Sequence, residues 1–554
     1  MEDIAPLSQS QHTPSDPNQS PSWMRHVRRV GLLTFLSRIF GLIRDMGMAA
    51  TFGNGPLLDA FTLAFRIPNM SRRLFGEGAL TTAFLPRYVV ALEEDKSKAE
   101  QLASAVLFIL IVTLSLVTLL GYIVLGLFYQ TNLLGESSRL LLVMAGALLP
   151  YVLLICVTAQ LCAMLHAQGY FSIPATVPIL LNFIWILAIW FITPYYTDPQ
   201  TQVYIVIGAI LLGGGLQLLL PAMHLYLQGF RVRWKTREQF REARKVFRDM
   251  LPIVFGLSIT QVNSICDGTL AWWFALPEQG SWITPGSASA LYYGQRMYQF
   301  PLGIFGIALG TVLFARLIHH VKTNQLDSVK QDVQFGLSFV LIIGLPASAG
   351  MMLLAYPIAE TLLERGQFDA FDTQQTTQTI IAYGTAIWSY LGITLLQRVF
   401  YAMGDVKTPL RIGLATVALN LLLNIPLMIW LGGKGLAYAT AIAAVVQFIY
   451  LWAVLKRHLP ISFSSANMKL LSKLIASSLV MSLAIWLLLQ WLPDTELKRW
   501  QAVQLLFLIS VAVVVYGFSL KILQVEELNE ILGFSKKPTI LTQQEDLDAN
   551  RKNP

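Results

Sequence analysis

The chain has 554 residues, of which 55% are hydrophobic and only 13% charged, and its mean hydropathy is +0.56. That composition excludes a soluble globular domain and defines a polytopic membrane protein. The formal net charge of +8, from 40 Lys and Arg against 32 Asp and Glu, comes without a basic stripe interleaved with aromatics, so nucleic acid is excluded as a partner.

Residues 1–25 are polar and dotted with Pro6, Pro14, Pro17 and Pro21, and read as a disordered cytoplasmic tail with no cleavable signal peptide. Arg25, His26, Arg28 and Arg29 hold that end in the cytoplasm. Six apolar spans follow, at 30–53, 58–86, 103–129, 140–165, 175–194 and 203–226, within an N-terminal lobe of residues 26–229. Residues 230–249 carry mixed charge and read as a cytoplasmic linker helix. A second lobe, residues 250–457, holds spans at 250–275, 288–315, 333–357, 376–397, 412–432 and 435–455. Two further spans, 474–493 and 500–520, lie in a segment of residues 466–523, and residues 524–554 form a cytoplasmic tail. Each span is near the ~20 residues that cross a bilayer. The expected fold is therefore an all-α polytopic membrane protein of 14 transmembrane helices: two pseudo-symmetric six-helix lobes plus two extra C-terminal helices.

Loop charge fixes the expected orientation. Residues 230–249 contain Arg231, Arg233, Lys235, Arg237, Arg241, Arg244, Lys245 and Arg248, whereas residues 195–202 and 276–287 contain no Lys or Arg. Basic loops stay cytoplasmic, and an even span count puts both termini there. The halves also resemble each other. HAQGYFSIP at 166–174 matches YAMGDVKTP at 401–409, offset by 235, and Phe75-Gly76, Thr81 and Phe84 match Phe305-Gly306, Thr311 and Phe314, offset by 230. Two repeats in the same membrane orientation are a transporter signature.

Charge inside the membrane is confined to two hairpins. The first holds Arg38, Arg44, Asp45, Asp59, Arg66, Arg72, Arg73 and Glu77; the second holds Asp267 and Arg296. An arginine at a helix centre costs about 2.5–3.5 kcal/mol, so such residues face a partner or a pathway. Arginine also suits phosphate, because its planar fork donates two parallel hydrogen bonds. Arg38, Arg44, Arg72 and Arg296 are the candidate anion-binding set. Asp45, Asp59, Arg66, Arg73 and Glu77 are the candidate supporting network, with Arg73 and Glu77 spaced to pair on one helix face. The competing reading for Arg44 is pairing with Asp45. Asp267 sits near Thr260, Gln261, Asn263 and Ser264, a candidate cation or proton site, with a salt bridge to Arg296 as the alternative. Cys156, Cys162 and Cys266 show no pairing pattern. The seven histidines lie in tails or near span ends without metal spacing, so an enzyme is not expected.

SRIFGLIRD at 37–45, LDAFTLAFRIPN at 58–69, RRLFGEGALTTAFLP at 72–86 and FYAMGDVKTP at 400–409 closely resemble the lipid II flippase family (MurJ, also called MviN), part of the multidrug/oligosaccharidyl-lipid/polysaccharide exporter superfamily. The resemblance covers about residues 30–520. It implies two lobes around a central cavity, a lipid groove built by spans thirteen and fourteen, and cavity arginines at Arg38, Arg44, Arg72 and Arg296, with associated acidic positions at Asp59 and Glu77. It further implies lipid II, an undecaprenyl-pyrophosphate-linked disaccharide-peptide, as the cargo, moved by a monomer in the bacterial inner membrane among membrane lipids. No cofactor is expected; Na⁺ or proton coupling at Asp267, with Asp405 as a second candidate, and the membrane potential are the candidate drivers. The alternatives are an exporter of another polyprenyl-pyrophosphate glycan or a MATE-like multidrug antiporter. A drug exporter needs acidic groups for cationic cargo, and this charge set is basic.

Overall fold

The computed structural model describes residues 22–72, 74, 80–131, 135–233, 237–280, 282–460, 465–493, 495 and 497–525. The described chain is helical throughout. The helices are α1 (Ser22–Phe52), α2 (Pro56–Ser71), α3 (Leu80–Glu94), α4 (Lys96–Gln130), α5 (Glu136–Ala167), α6 (Ser172–Leu187), α7 (Pro199–Leu227), α8 (Arg237–Ala275) and α9 (Ser287–Lys322). They continue with α10 (Leu326–Leu353), α11 (Ala355–Leu362), α12 (Ala370–Gly384), α13 (Ile387–Ala402), α14 (Lys407–Leu431), α15 (Gly433–His458), α16 (Ser465–Trp491) and α17 (Lys498–Ile522). Among the described residues, nine helices are long and apolar enough to cross a membrane, and the bent pair α12 and α13, at 44° to each other, makes a tenth. The other long helices, α1, α8 and α9, have the length to cross but carry the charged residues that lower their hydropathy.

The helices pack as two units. One contains residues up to 45, 71–120 and 149–251; the other contains 46–70, 121–148 and residues from 252 onward. In the first unit, α7 packs closely on α5 and α6 through adjacent glycines. A side chain at Gly213 would meet Leu181, and one at Gly214 would meet Tyr151. Small residues allow this approach where no hydrophobic force drives helices together in lipid. The Tyr151 hydroxyl donates to Gln217 Oε1 at 3.1 Å, and Gln217 Nε2 donates to the Val177 carbonyl at 2.8 Å, closing the three-helix contact. Asp198 caps α7, accepting the Thr201 N–H at 2.9 Å. The Thr201 hydroxyl on the same carboxylate helps hold Asp198 below the usual carboxylate range.

The stretch read from sequence as a separate linker helix begins α8, which runs unbroken from Arg237 to Ala275. Pro252 is the only strong breaker in its first half, and a proline is tolerated in a long membrane helix. Its first turns are tied to α3 by ion pairs from Arg87 to Asp249 and Glu242.

In the second unit α9, α10, α13 and α15 share a core that includes Leu317, Val333, Val340, Leu396, Phe400 and Leu451. The span expected at 376–397 is broken between α12 and α13. Groups freed at the break find partners: the Trp388 N–H donates to Ser348 Oγ of α10 at 3.3 Å, and the Trp388 indole donates to the Thr385 carbonyl at 3.1 Å. Helices α16 and α17, which lie outside the repeat, pack on α10 through Leu474, Met481, Ile485, Leu508 and Ile342. The Tyr516 hydroxyl donates to the Ile342 carbonyl at 2.8 Å, and Gln501 Nε2 donates to Glu360 Oε1 at 3.0 Å.

The repeated turn has one geometry in both places. Gly169 has φ +81° and Gly404 φ +79°. Tyr170 N–H returns to the Leu165 carbonyl at 2.9 Å, and Asp405 N–H to the Phe400 carbonyl at 2.9 Å. Both are Schellman turns ending a helix on a left-handed glycine.

Candidate functional site

In the first unit, Arg44 is buried and fully engaged on α1. Its Nε and Nη2 donate to Asp45 Oδ1 at 3.0 and 2.6 Å, its Nη1 donates to Asn182 Oδ1 at 2.8 Å, and its guanidinium lies 4.6 Å from the Trp185 ring centre. Asn182 Nδ2 donates back to the Ser37 carbonyl at 3.3 Å. The reading of Arg44 as paired with Asp45 is therefore present in the structure, and α6 adds two partners that sequence reasoning missed. A signal existed: Asn182 is a lone amide in an otherwise apolar stretch of α6. Arg38 and Arg72 are half-buried, on α1 and just beyond α2 respectively. Arg73 and Glu77, expected to pair, lie outside the described residues.

The other charged positions belong to the second unit. Asp59 on α2 is buried against the start of α9. Its Oδ2 accepts the Gly286 N–H at 2.9 Å, and its Oδ1 accepts the Ser289 N–H at 2.6 Å together with the Ser289 hydroxyl. The first N–H groups of a helix lack internal partners and carry partial positive charge; here a carboxylate from another helix supplies both needs. Nearby, the Asn54 N–H donates to Asp372 Oδ2 at 2.8 Å, Asn54 Nδ2 donates to Thr376 Oγ1 at 3.0 Å, and the Gln367 N–H donates to the Ala50 carbonyl at 2.8 Å. Gly286 and Gly366, both at positive φ, lie directly against the backbone of Asn54 and Ala50. Residues 50–59 are thus latched to the starts of α9 and α12 and to the turn before α12.

Asp267 on α8 is 1% exposed, and its partners come from α14 and α15. Asn424 Nδ2 donates to Oδ1 at 2.8 Å and the Thr440 hydroxyl to Oδ2 at 2.7 Å. With its amide nitrogen turned to the acceptors, Asn420 donates to Asp267 Oδ1 at 3.0 Å and to Asn263 Oδ1 at 2.7 Å. Among the described residues, the buried Asn424 Oδ1 has no hydrogen-bond partner. One buried carboxylate is thus surrounded by the Thr440 hydroxyl and the side-chain amides of Asn420 and Asn424. Among the described residues no three His, Cys, Asp or Glu side chains cluster together. Asp405 stands elsewhere: it accepts the Thr408 N–H at 3.0 Å at the start of α14. Asn424 lies 17 residues further along that helix, about 25 Å by helical rise.

Arg66 reaches from α2 to α8. Its Nη1 donates to the Ser264 carbonyl and lies 3.4 Å from Ser264 Oγ, and its guanidinium packs on Gly268. Arg296 on α9 donates from Nη2 to the Tyr292 hydroxyl at 3.0 Å and lies 5.0 Å from that ring's centre. Beside it, Gln295 Nε2 donates to the Tyr383 hydroxyl at 3.2 Å, and Tyr298 stacks on Tyr390 at 4.8 Å. Thus the second unit gathers Asp59, Arg66, Asp267 and Arg296, while Arg38, Arg44, Asp45 and Arg72 belong to the first.

An all-helical membrane protein with two sequence repeats and charge gathered on a few helices is, by class, a polytopic transporter. The family profile described as lipid II flippase MurJ matches residues 48–523, and the chain belongs to that family. It is 30% identical over 524 residues to the probable lipid II flippase MurJ of Haemophilus influenzae, covering 89% of this chain and 99% of that protein. It is 32% identical over 441 residues to the probable lipid II flippase MurJ of Vibrio cholerae, covering 76% of this chain and 81% of that protein. Among solved structures it is similar to a lipid II flippase MurJ in an inward closed conformation, with TM-score 0.73 and 24% identity, covering 89% of this chain and 99% of that one. It also shares its fold with an inward-facing multidrug resistance MATE family transporter of the MOP superfamily, at TM-score 0.61 and 16% identity, covering 77% of this chain and 96% of that one.

Proposed function

We infer that this protein is a lipid II flippase, carrying the headgroup of a lipid-linked peptidoglycan precursor from the cytoplasmic to the outer leaflet of a bacterial inner membrane by alternating access. The observation that supports it best is a family match over residues 48–523 that takes in the intramembrane arginines Arg66, Arg72, Arg73 and Arg296 and the acidic groups Asp59, Glu77 and Asp267. Arg38, Arg44, Arg72 and Arg296 supply cations for the pyrophosphate, and Asp45, Asp59, Arg66, Arg73 and Glu77 support them. The disaccharide-peptide needs a wet path, and the polyprenyl tail stays in lipid beside α16 and α17. The basic loops favour both termini in the cytoplasm. Nothing in this chemistry calls for a catalytic group, so the protein acts as a transporter and not an enzyme.

Asp267, with Asn424, Asn420 and Thr440, is the proposed seat of a small monovalent cation such as Na⁺, whose bound charge would offset the buried carboxylate. An inside-negative potential favours outward movement of an anion by about 2.3 kcal/mol per charge per ~100 mV. The basic arginine set disfavours a MATE-like drug antiporter for cationic cargo.

The test is lipid II translocation by the purified protein in vesicles. Arg38→Ala, Arg72→Ala and Arg296→Ala should each abolish translocation while the protein still inserts. Normal rates in all three would overturn this reading.

A further inference from the structure

The guanidinium of Arg66 occupies a notch that only a glycine leaves open. It bonds Ser264 and rests on Gly268, where a Cβ would collide with it. Ser264 and Gly268 are four apart and lie on one face of α8, one helical turn apart. Asp267 is Gly268's neighbour in the chain, and its side chain turns toward α14 and α15. Among the described residues, Asp267 and Asp59 are acidic groups whose charge acts on Arg66, together with the phenols of Tyr383 and Tyr292. A fixed positive charge held against the residue next to a buried carboxylate acts on anything else positive that binds there. In a medium of low effective dielectric such an interaction survives over several ångströms.

We propose that Arg66 is a tethered counter-cation to Asp267: while α2 is docked in the Ser264–Gly268 notch, its guanidinium neutralises part of the Asp267 charge and weakens the binding of a small monovalent cation at Asp267, Asn424 and Thr440. Coupling of this kind is reciprocal. Cation binding at Asp267 therefore loosens Arg66 from α8 by the same factor, which links ion occupancy to the docking of residues 46–70. The inference rests on the cation reading of Asp267 but not on the identity of the cargo.

The experiment is an Na⁺ titration of the purified full-length protein, with choline as the balancing ion, read by thermal unfolding and by ²²Na⁺ equilibrium binding. The wild type should show a saturable Na⁺-dependent shift that Asp267→Asn abolishes. Arg66→Gln should lower the half-saturating Na⁺ concentration by about five-fold or more. Gly268→Ala keeps the charge but fills the notch, and should move the half-saturation the same way. Arg66→Lys keeps both charge and reach, and should stay near the wild type. A wild type that responds while Arg66→Gln and Gly268→Ala leave its half-saturation unchanged overturns the coupling alone. Equal behaviour of the wild type and Asp267→Asn overturns the coupling and the cation site together, and leaves the translocation assay to decide the flippase reading.

Discussion

Asp59 holds Ser289 twice through a single oxygen, taking its backbone N–H at 2.6 Å and its hydroxyl, although the two residues are 230 positions apart in the chain. The same carboxylate takes the Gly286 N–H at 2.9 Å with its second oxygen. A helix start that has no capping side chain of its own, since its N-cap is Gly286, borrows one from α2. Asp59 thus caps the start of α9, the helix that carries Arg296.

The order of three substitutions tests that role. Asp59→Ala leaves two buried N–H groups without their acceptor and should cost about 3 kcal/mol. Asp59→Asn keeps one acceptor oxygen and should cost less. Ser289→Ala removes only the hydroxyl, and about 1 kcal/mol is expected. Equilibrium unfolding in detergent measures the series, and a Ser289→Ala variant as unstable as Asp59→Ala would refute backbone capping.

Arg44 should behave differently from Arg38. It is 6% exposed and paired with a carboxylate that is 5% exposed, so Arg44→Ala breaks a buried ion pair. Removing one partner of such a pair costs about 3–5 kcal/mol. Asn182→Leu removes one hydrogen bond to the same guanidinium and should cost about 1–3 kcal/mol. Thermal unfolding and membrane abundance should therefore drop for Arg44→Ala and less for Asn182→Leu, while Arg38→Ala keeps wild-type abundance and loses translocation. Wild-type thermal stability in Arg44→Ala would remove its structural role and leave only the anion-binding one.

Why some of this was legible in the sequence and some was not follows from the range of the interactions. Arg44 and Asp45 are neighbours, so their pairing could be read locally. Asn182 and Trp185 could not be matched to them, because the contact depends on how α6 lies on α1. Asp267 stood out as a lone carboxylate in an apolar span. Its partners did not, though Asn420 and Asn424 are four apart and so share a face of α14. The repeat around Gly169 and Gly404 was legible as a sequence match, while the left-handed turn that both glycines make was seen only in the structure. The break between α12 and α13 was not, since Ser348 of another helix satisfies it.

The two turn glycines give a paired test of backbone strain. Gly169 and Gly404 both have positive φ, and nothing lies within 4 Å of a Cβ at either. Alanine there meets no neighbour, so its cost is conformational alone, about 1–2 kcal/mol. Asparagine, which tolerates the left-handed region, should cost less at both sites. Gly126, helical and equally open, should accept alanine with no loss. Unfolding midpoints that fall equally for Gly126→Ala and Gly404→Ala would contradict the assignment.

The consecutive glycines of α7 separate packing from helix propensity on a single turn. A Cβ at Gly214 would sit 2.6 Å from Tyr151 Cδ2, one at Gly213 would sit 2.9 Å from Leu181 Cδ1, and one at Gly215 meets nothing within 4 Å. Tyr151 is held by its bond to Gln217 and cannot easily swing away, whereas the contact at Gly213 is with the tip of a leucine. Gly214→Ala should therefore be the most destabilising of the three, in the range of about 1–3 kcal/mol for overpacking. Gly213→Ala should cost less, and Gly215→Ala should be neutral or stabilising by up to about 1 kcal/mol, because alanine is the better helix former. Adding Tyr151→Leu to Gly214→Ala should recover part of the loss by clearing the ring, a non-additivity expected only of residues in direct contact. Strictly additive effects in that double-mutant cycle would mean that α5 and α7 do not meet through this pair.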